Sequence, residues 1–168
     1  MVDKKVHKKI ILMILLILTL ISYKTIKNHI EKIRLNAKLE ERHGINLNLD
    51  YKIVLNKKNS DWHGQHQNFR LLQLKKNEDI ENIVEQVGFM GDEIGLDYIK
   101  RIREIEGILN IEVENKIDFT GDYRYKVYIK SRGIRDGAEA KDYLYIIISN
   151  IDEYIHIFLI EDINPSDL

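Results

Sequence analysis

The chain has 168 residues, 44% of them hydrophobic, with one proline and no cysteine. Lack of cysteine excludes disulfides, thiolate nucleophiles and cysteine-ligated zinc, and the apolar content argues against a disordered polymer. The net charge of −1 hides a division: residues 1–42 carry ten Lys/Arg against four Asp/Glu, and residues 43–168 carry sixteen against twenty-three. The acidic part argues against a nucleic-acid partner, since no basic stripe survives there to neutralise phosphates. The basic part is what anionic lipid attracts.

The first element in chain order is the uncharged run from Ile10 to Tyr23, behind Lys4, Lys5, Lys8 and Lys9. Ile10, Leu12, Leu15, Leu16, Leu18 and Ile21 are the residues expected to meet lipid. As a helix the run is about 21 Å long, short of the ~30 Å hydrocarbon core, which by length alone suits a signal-peptide core. The exit Ser22-Tyr23-Lys24-Thr25 has no small-x-small cleavage signal, and no cysteine is present for lipid attachment. The expectation is therefore an uncleaved signal anchor, with Lys8, Lys9 and Lys24 snorkelling and Tyr23 at the interface. The alternative, a buried core helix, is opposed by apolarity on every side. Positive residues flank the run on both sides. A short N-terminal tail stays behind more readily than it crosses, so the expected orientation is N-terminus in and C-terminal domain out.

Lys24 to Arg42 reads as a basic amphipathic helix, with Ile26, Ile30, Ile33 and Ala37 at helical spacing and Gly44 as its stop. Strict alternation from Ile45 to Leu55 predicts a half-buried strand over the whole run, the alternative being a strand confined to its second half. A polar loop is expected over Asn56 to Gln67 and a partner strand over Phe69 to Lys75. Asn77 is an N-cap for a helix with Ile80, Ile83, Val84 and Val87 on one face, ended by Gly88. A second helix is expected from Leu96 to Glu106, closed by Gly107. Ile111 to Phe119 is ambiguous and reads best as a strand. Tyr123 to Ile129 alternates cleanly, Ser131 to Asp142 reads as a loop, and Tyr143–Ser149 and Tyr154–Glu161 form a hairpin about residues 150–153. The fold class is α+β: an N-terminal membrane helix and stalk helix, then an antiparallel sheet of about four to five strands packed against two helices. The domain plan is 1–23 anchor, 24–43 juxtamembrane helix and 44–168 a single domain.

The densest chemistry is Asp61-Trp62-His63-Gly64-Gln65-His66. Two imidazoles beside a carboxylate suit a divalent metal, with His63 and His66 as ligands. A loop with Trp62 as an exposed anchor also suits binding, and an ordinary solvated loop explains the same residues. Six tyrosines, Tyr123, Tyr125, Tyr128, Tyr143, Tyr145 and Tyr154, suit either a sticky sheet face or the core and rim of the sheet. Arg132 and Arg135 flank Gly133 in a segment able to hold a carboxylate or phosphate. Asp92-Glu93 and Glu161-Asp162 suggest no acid/base pair. No nucleophile elbow, phosphate-cradling glycine loop or His-Glu-x-x-His is present, so an enzyme is the minority reading.

Asp61, His63, Gly64, His66 and Phe69 resemble an Asp-x-His-Gly-x-x-His loop of small uncharacterised exported or membrane-anchored proteins of low-GC Gram-positive bacteria. In this chain the histidines lie one residue closer, and Gln67 and Asn68 replace the Asp and Gly of that pattern. Tyr143 to Asp162 resembles their terminal hairpin. The resemblance implies an exported, anchored bacterial protein and no particular activity. The reading is a membrane-anchored extracytoplasmic module, binding or protective and non-catalytic. Its contact residues would be Asp61, Trp62, His63, His66, Arg132 and Arg135, and its partners membrane lipid and a protein. The alternatives are a metal-dependent hydrolase using His63 and His66, and an immunity protein against a toxin or phage.

Overall fold

The computed structural model describes residues 4–60, 66–75, 80–88, 91–135 and 138–163. The chain divides into two compact units, Met1–Gly44 and Ile45–Leu168.

The first unit is one continuous helix, α1 (Lys4–His43), 40 residues long, or about 60 Å. Nothing interrupts the backbone at Tyr23, because no proline or glycine stands between Lys4 and Gly44. Gly44 ends it at φ +68, a conformation that suits glycine, and its N–H donates to the Glu40 carbonyl at 2.9 Å. From Ile10 to Ile21 every large apolar side chain is exposed, by between 46% and 73%. Among the described residues this helix is the one long and apolar enough to cross a membrane. Further along, Ile26, Ile30 and Ile33 are exposed, whereas Leu35 and Leu39 are buried.

The second unit is built on a five-stranded antiparallel sheet of order β1-β2-β5-β4-β3. The strands are β1 (Lys52–Ser60), β2 (His66–Lys75), β3 (Tyr123–Arg135), β4 (Ala138–Ile151) and β5 (Tyr154–Ile163). The hairpin β1–β2 and the meander β3–β4–β5 are joined by the pairing of β2 with β5, from His66↔Ile163 to Lys75↔Tyr154. α2 (Ile80–Val87) and α3 (Leu96–Ile108) lie between β2 and β3 in the chain.

The helices take opposite faces of the sheet. Phe69, Leu71, Tyr143, Tyr145, Ile147, Phe158 and Ile160 pack with Ile102 and Ile105 of α3 into one cluster. On the other face, the Val87 carbonyl at the end of α2 accepts from Lys126 Nζ and the Tyr128 hydroxyl. Coverage on both sides explains why β4 and β5 are near-continuous apolar runs: Leu144 to Ile148 and Ile157 to Ile160 are all buried. Gly91 brings the inter-helix segment onto β3, exchanging both backbone hydrogen bonds with Tyr125 at 2.9 Å. A Cβ there would meet the Tyr125 ring at 2.8 Å, so only glycine permits that approach.

The α+β class and the antiparallel sheet agree with the sequence analysis, but several boundaries do not. Ile45, Leu47 and Tyr51 are buried and alternate with exposed Asn46, Asn48 and Asp50, yet the ladder begins only at Lys52. Asn56 to Ser60, expected as loop, are strand: β1 is an edge, so Asn56 to Asn59 face water while the backbone still pairs. Ser131 to Arg135 likewise belong to β3, past a bulge that Gly133 accommodates at φ +93. Gly107 does not close α3, which runs on to Ile108 and turns at Asn110, φ +49. The segment Ile111–Phe119 is not a strand but contains a short 3-10 turn at Val113–Asn115. It is held by Glu106, which is buried and accepts from the Ile117 N–H at 3.0 Å and from Arg103 Nη1 at 2.7 Å.

Candidate functional site

Register places Ser60, His66, Ile163, Asp142 and Lys130 in one row across all five strands. Both sequence candidates lie toward this end of the sheet, His66 on β2 and Arg132 on β3, with β5 and β4 between them. The segment carrying Asp61, Trp62 and His63 leaves the sheet at Ser60 and re-enters at His66; those three residues lie outside the described ones. Arg132 and Arg135 stand on the final stretch of β3, and Arg135 pairs in register with Ala138.

The same end holds acids that the sequence analysis set aside. Glu161 and Asp162 are adjacent in a strand, so they point to opposite faces. Both are buried, Asp162 completely. A buried carboxylate requires a partner charge, and each has an arginine. Asp162 takes a bidentate pair from Arg101 of α3, Nε at 2.7 Å and Nη2 at 3.0 Å, with Gln67 Nε2 at 3.5 Å. Glu161 accepts from Arg70 at 3.1 Å and from Asn68 Nδ2 at 2.9 Å. Asp142, next in the row, accepts from Arg132 Nε. Thus Arg132 does hold a carboxylate, but one supplied by its own hairpin. Gln67 and Asn68, which depart from the resembling loop pattern, are themselves buried members of this network.

Beside Arg101 lies a cleft of about 460 Å³ lined by Gly95, Asp97, Tyr98, Lys100, Glu104 and Tyr143 as well as by Arg101 itself. Tyr98, Tyr143 and Tyr145 form an aromatic group behind it, Tyr143 stacked on Tyr145 at 6.0 Å and Tyr98 edge-on to Tyr145 at 5.8 Å. Burial drives the Tyr145 hydroxyl far above its usual pKa, and the Asp162 charge adds to the effect. That hydroxyl is one of the buried side-chain atoms, among the described residues, without a hydrogen-bond partner. The tyrosine set is therefore divided. Tyr143 and Tyr145 are core, Tyr123, Tyr125 and Tyr128 are half-buried, and Tyr154 is exposed.

No family model, curated protein or solved structure matches the chain. Its chemistry must therefore be read from the side chains alone. Among the described residues no group of three His, Cys, Asp or Glu is placed to hold a metal. Guanidinium groups hold all three buried carboxylates of the network, and a carboxylate so held is a poor general base. The signal that sequence reasoning missed was the position of Glu161-Asp162 at the end of an apolar strand. In a strand buried on both faces, adjacent acids require two separate cationic partners.

Proposed function

We propose that the chain is a single-pass membrane protein whose α+β domain stands outside the cytoplasm as a non-catalytic binding or protective module. The observation that carries this reading is the helix surface from Ile10 to Ile21, where every large apolar side chain is exposed. Water does not tolerate so continuous an apolar surface and hydrocarbon does. The lysines that flank the run supply interfacial anchors. The non-catalytic part of the reading is supported by the buried acids, each already engaged by arginine. We place the contact surface at the end of the sheet marked by His66 and Arg132, beside the Tyr98/Tyr143 cleft. Rigid ion pairs beneath a surface hold its shape, which suits recognition.

Alkaline carbonate extraction of membranes tests the anchor. The full chain is expected to stay in the pellet, and a chain lacking residues 4–23 to move to the supernatant. Extraction of the full chain would remove the proposal.

A further inference from the structure

We propose that α1 pairs with a second copy of this chain through a seam formed by Tyr23, Ile26, Ile30, Ile33 and Ala37. The parallel sense of the pair rests on the membrane reading above; the pairing itself does not. The successive spacings are three, four, three and four residues, which is the 3.5-residue repeat of a left-handed coiled coil. The repeat continues toward the N-terminus through Thr19, Leu16 and Leu12, all exposed.

The change in apolar pattern along α1 identifies the occupant. Lipid requires apolar residues on every side, as Ile10–Ile21 provides. Beyond Tyr23 the other exposed positions up to Arg34 are Lys24, Thr25, Lys27 and His29, together with Arg34 itself. Apolar surface contracts to a single stripe in which Ile26, Ile30 and Ile33 are 59%, 41% and 56% exposed. Leu35 and Leu39, buried, lie on the opposite side of the helix. The uncharged run ends at Tyr23, and even a full span of about 20 residues from Ile10 would stop by His29, so Ile30, Ile33 and Ala37 project beyond the hydrocarbon core. A partner helix covers that stripe and lipid does not.

The flanking charges permit a parallel pair. Across such a seam Ser22 stands beside Lys27, His29 beside Arg34 and Asn36 beside Glu41. None of these contacts joins two Lys/Arg or two carboxylates. Anchoring in one membrane fixes the parallel orientation and raises the effective concentration of the partner. Isoleucine at both seam positions, Ile26 and Ile33 at one and Ile30 at the other, shifts the preference from two strands toward three or four, in which each helix still meets its neighbours along the same seam.

The chain has no cysteine, so single cysteines report without background. Cysteine is placed in the full chain, in native membranes, at Tyr23, Ile26, Ile30 and Ile33, and separately at Lys24, Asn28 and Glu31. Disulfide yield under mild oxidant is expected to be at least about five-fold higher at the first set, since seam positions bring Cα atoms within bonding range. Replacing Ile30 and Ile33 together by Glu is expected to lower the yield at Ile26→Cys about ten-fold. Absent cross-links, equal yields at all seven positions, or a maximum at Lys24, Asn28 or Glu31 would overturn the pairing. The membrane pellet from the same cells reports anchoring separately. A soluble chain that still cross-links at the seam would sink the membrane reading and leave the seam standing.

Discussion

Replacing Arg101 by leucine isolates one buried charge. Asp162 is completely buried and depends on Arg101 for its two short hydrogen bonds, at 2.7 and 3.0 Å; Gln67 offers only a third at 3.5 Å. Without the guanidinium an ionised carboxylate remains in the core, a cost of roughly 3–5 kcal/mol. Losing the Arg101–Glu104 contact adds little, because Glu104 is about half-exposed and an i,i+3 pair contributes about 0.2–0.5 kcal/mol. A single domain is stable by only about 5–15 kcal/mol, so the loss is a large share of the total. It corresponds to a fall of roughly 10–20 °C in Tm. Replacing Arg101 and Asp162 together by leucine removes the stranded charge and is expected to recover most of the stability, since a buried pair and an apolar pair of similar volume are often close in energy. The assay is a double-mutant cycle on the full chain in detergent, by urea unfolding followed through tyrosine and tryptophan fluorescence. A loss below about 1 kcal/mol for Arg101→Leu, or a double variant no more stable than the single one, would refute the reasoning.

Three further outcomes are expected. Glu106→Leu removes the acceptor of the Ile117 N–H; amide exchange at Ile117 should accelerate at least ten-fold, and unchanged protection would show that the latch does not hold that segment. Burial holds the His156 imidazole below its usual 6.5, with the Asp152 charge opposing. A base with a depressed folded pKa destabilises the fold as pH drops below 6.5, because the unfolded chain takes up the proton first. The urea midpoint should therefore fall between pH 7.5 and pH 5 more steeply in the native chain than in His156→Gln; identical slopes would contradict this. Finally, the eleven large apolar residues between Ile10 and Ile21 favour insertion by roughly 5 kcal/mol in all, and arginine at Leu15 and Leu16 reverses about 7 kcal/mol. That double variant should leave the membrane pellet, and its retention there would contradict the lipid-facing assignment.

Local pattern carried the secondary structure wherever one face of an element met water. The alternation of Tyr123, Tyr125 and Val127 and the helical spacing of Ile83 and Val87 both translate into elements. It failed at the sheet edges, where Asn56 to Asn59 and Ser131 to Gly133 are polar because they are exposed, although their backbones pair. It failed again at Ile111–Phe119, whose conformation is set by tertiary contacts: Glu106 accepts from the Ile117 N–H, Arg103 donates to the Ile117 carbonyl, and the Phe119 ring packs on Tyr123. The candidate site was legible only in parts. His66 and Arg132 stood out as chemistry, but their placement at one end of the sheet depends on the pairings of β2 with β5, β5 with β4 and β4 with β3. The partners of the acidic doublet, Arg70 and Arg101, lie 91 and 61 residues away in the chain, so no local pattern could reveal them.

The central claim is that α1 crosses the membrane and displays the α+β domain outside. Protease accessibility of a C-terminal tag in intact, wall-stripped cells tests it most directly. The account predicts rapid loss of the tag while a cytoplasmic marker survives. Protection of the tag until the membrane is broken would contradict it, and would place the domain and its sheet-end surface in the cytoplasm.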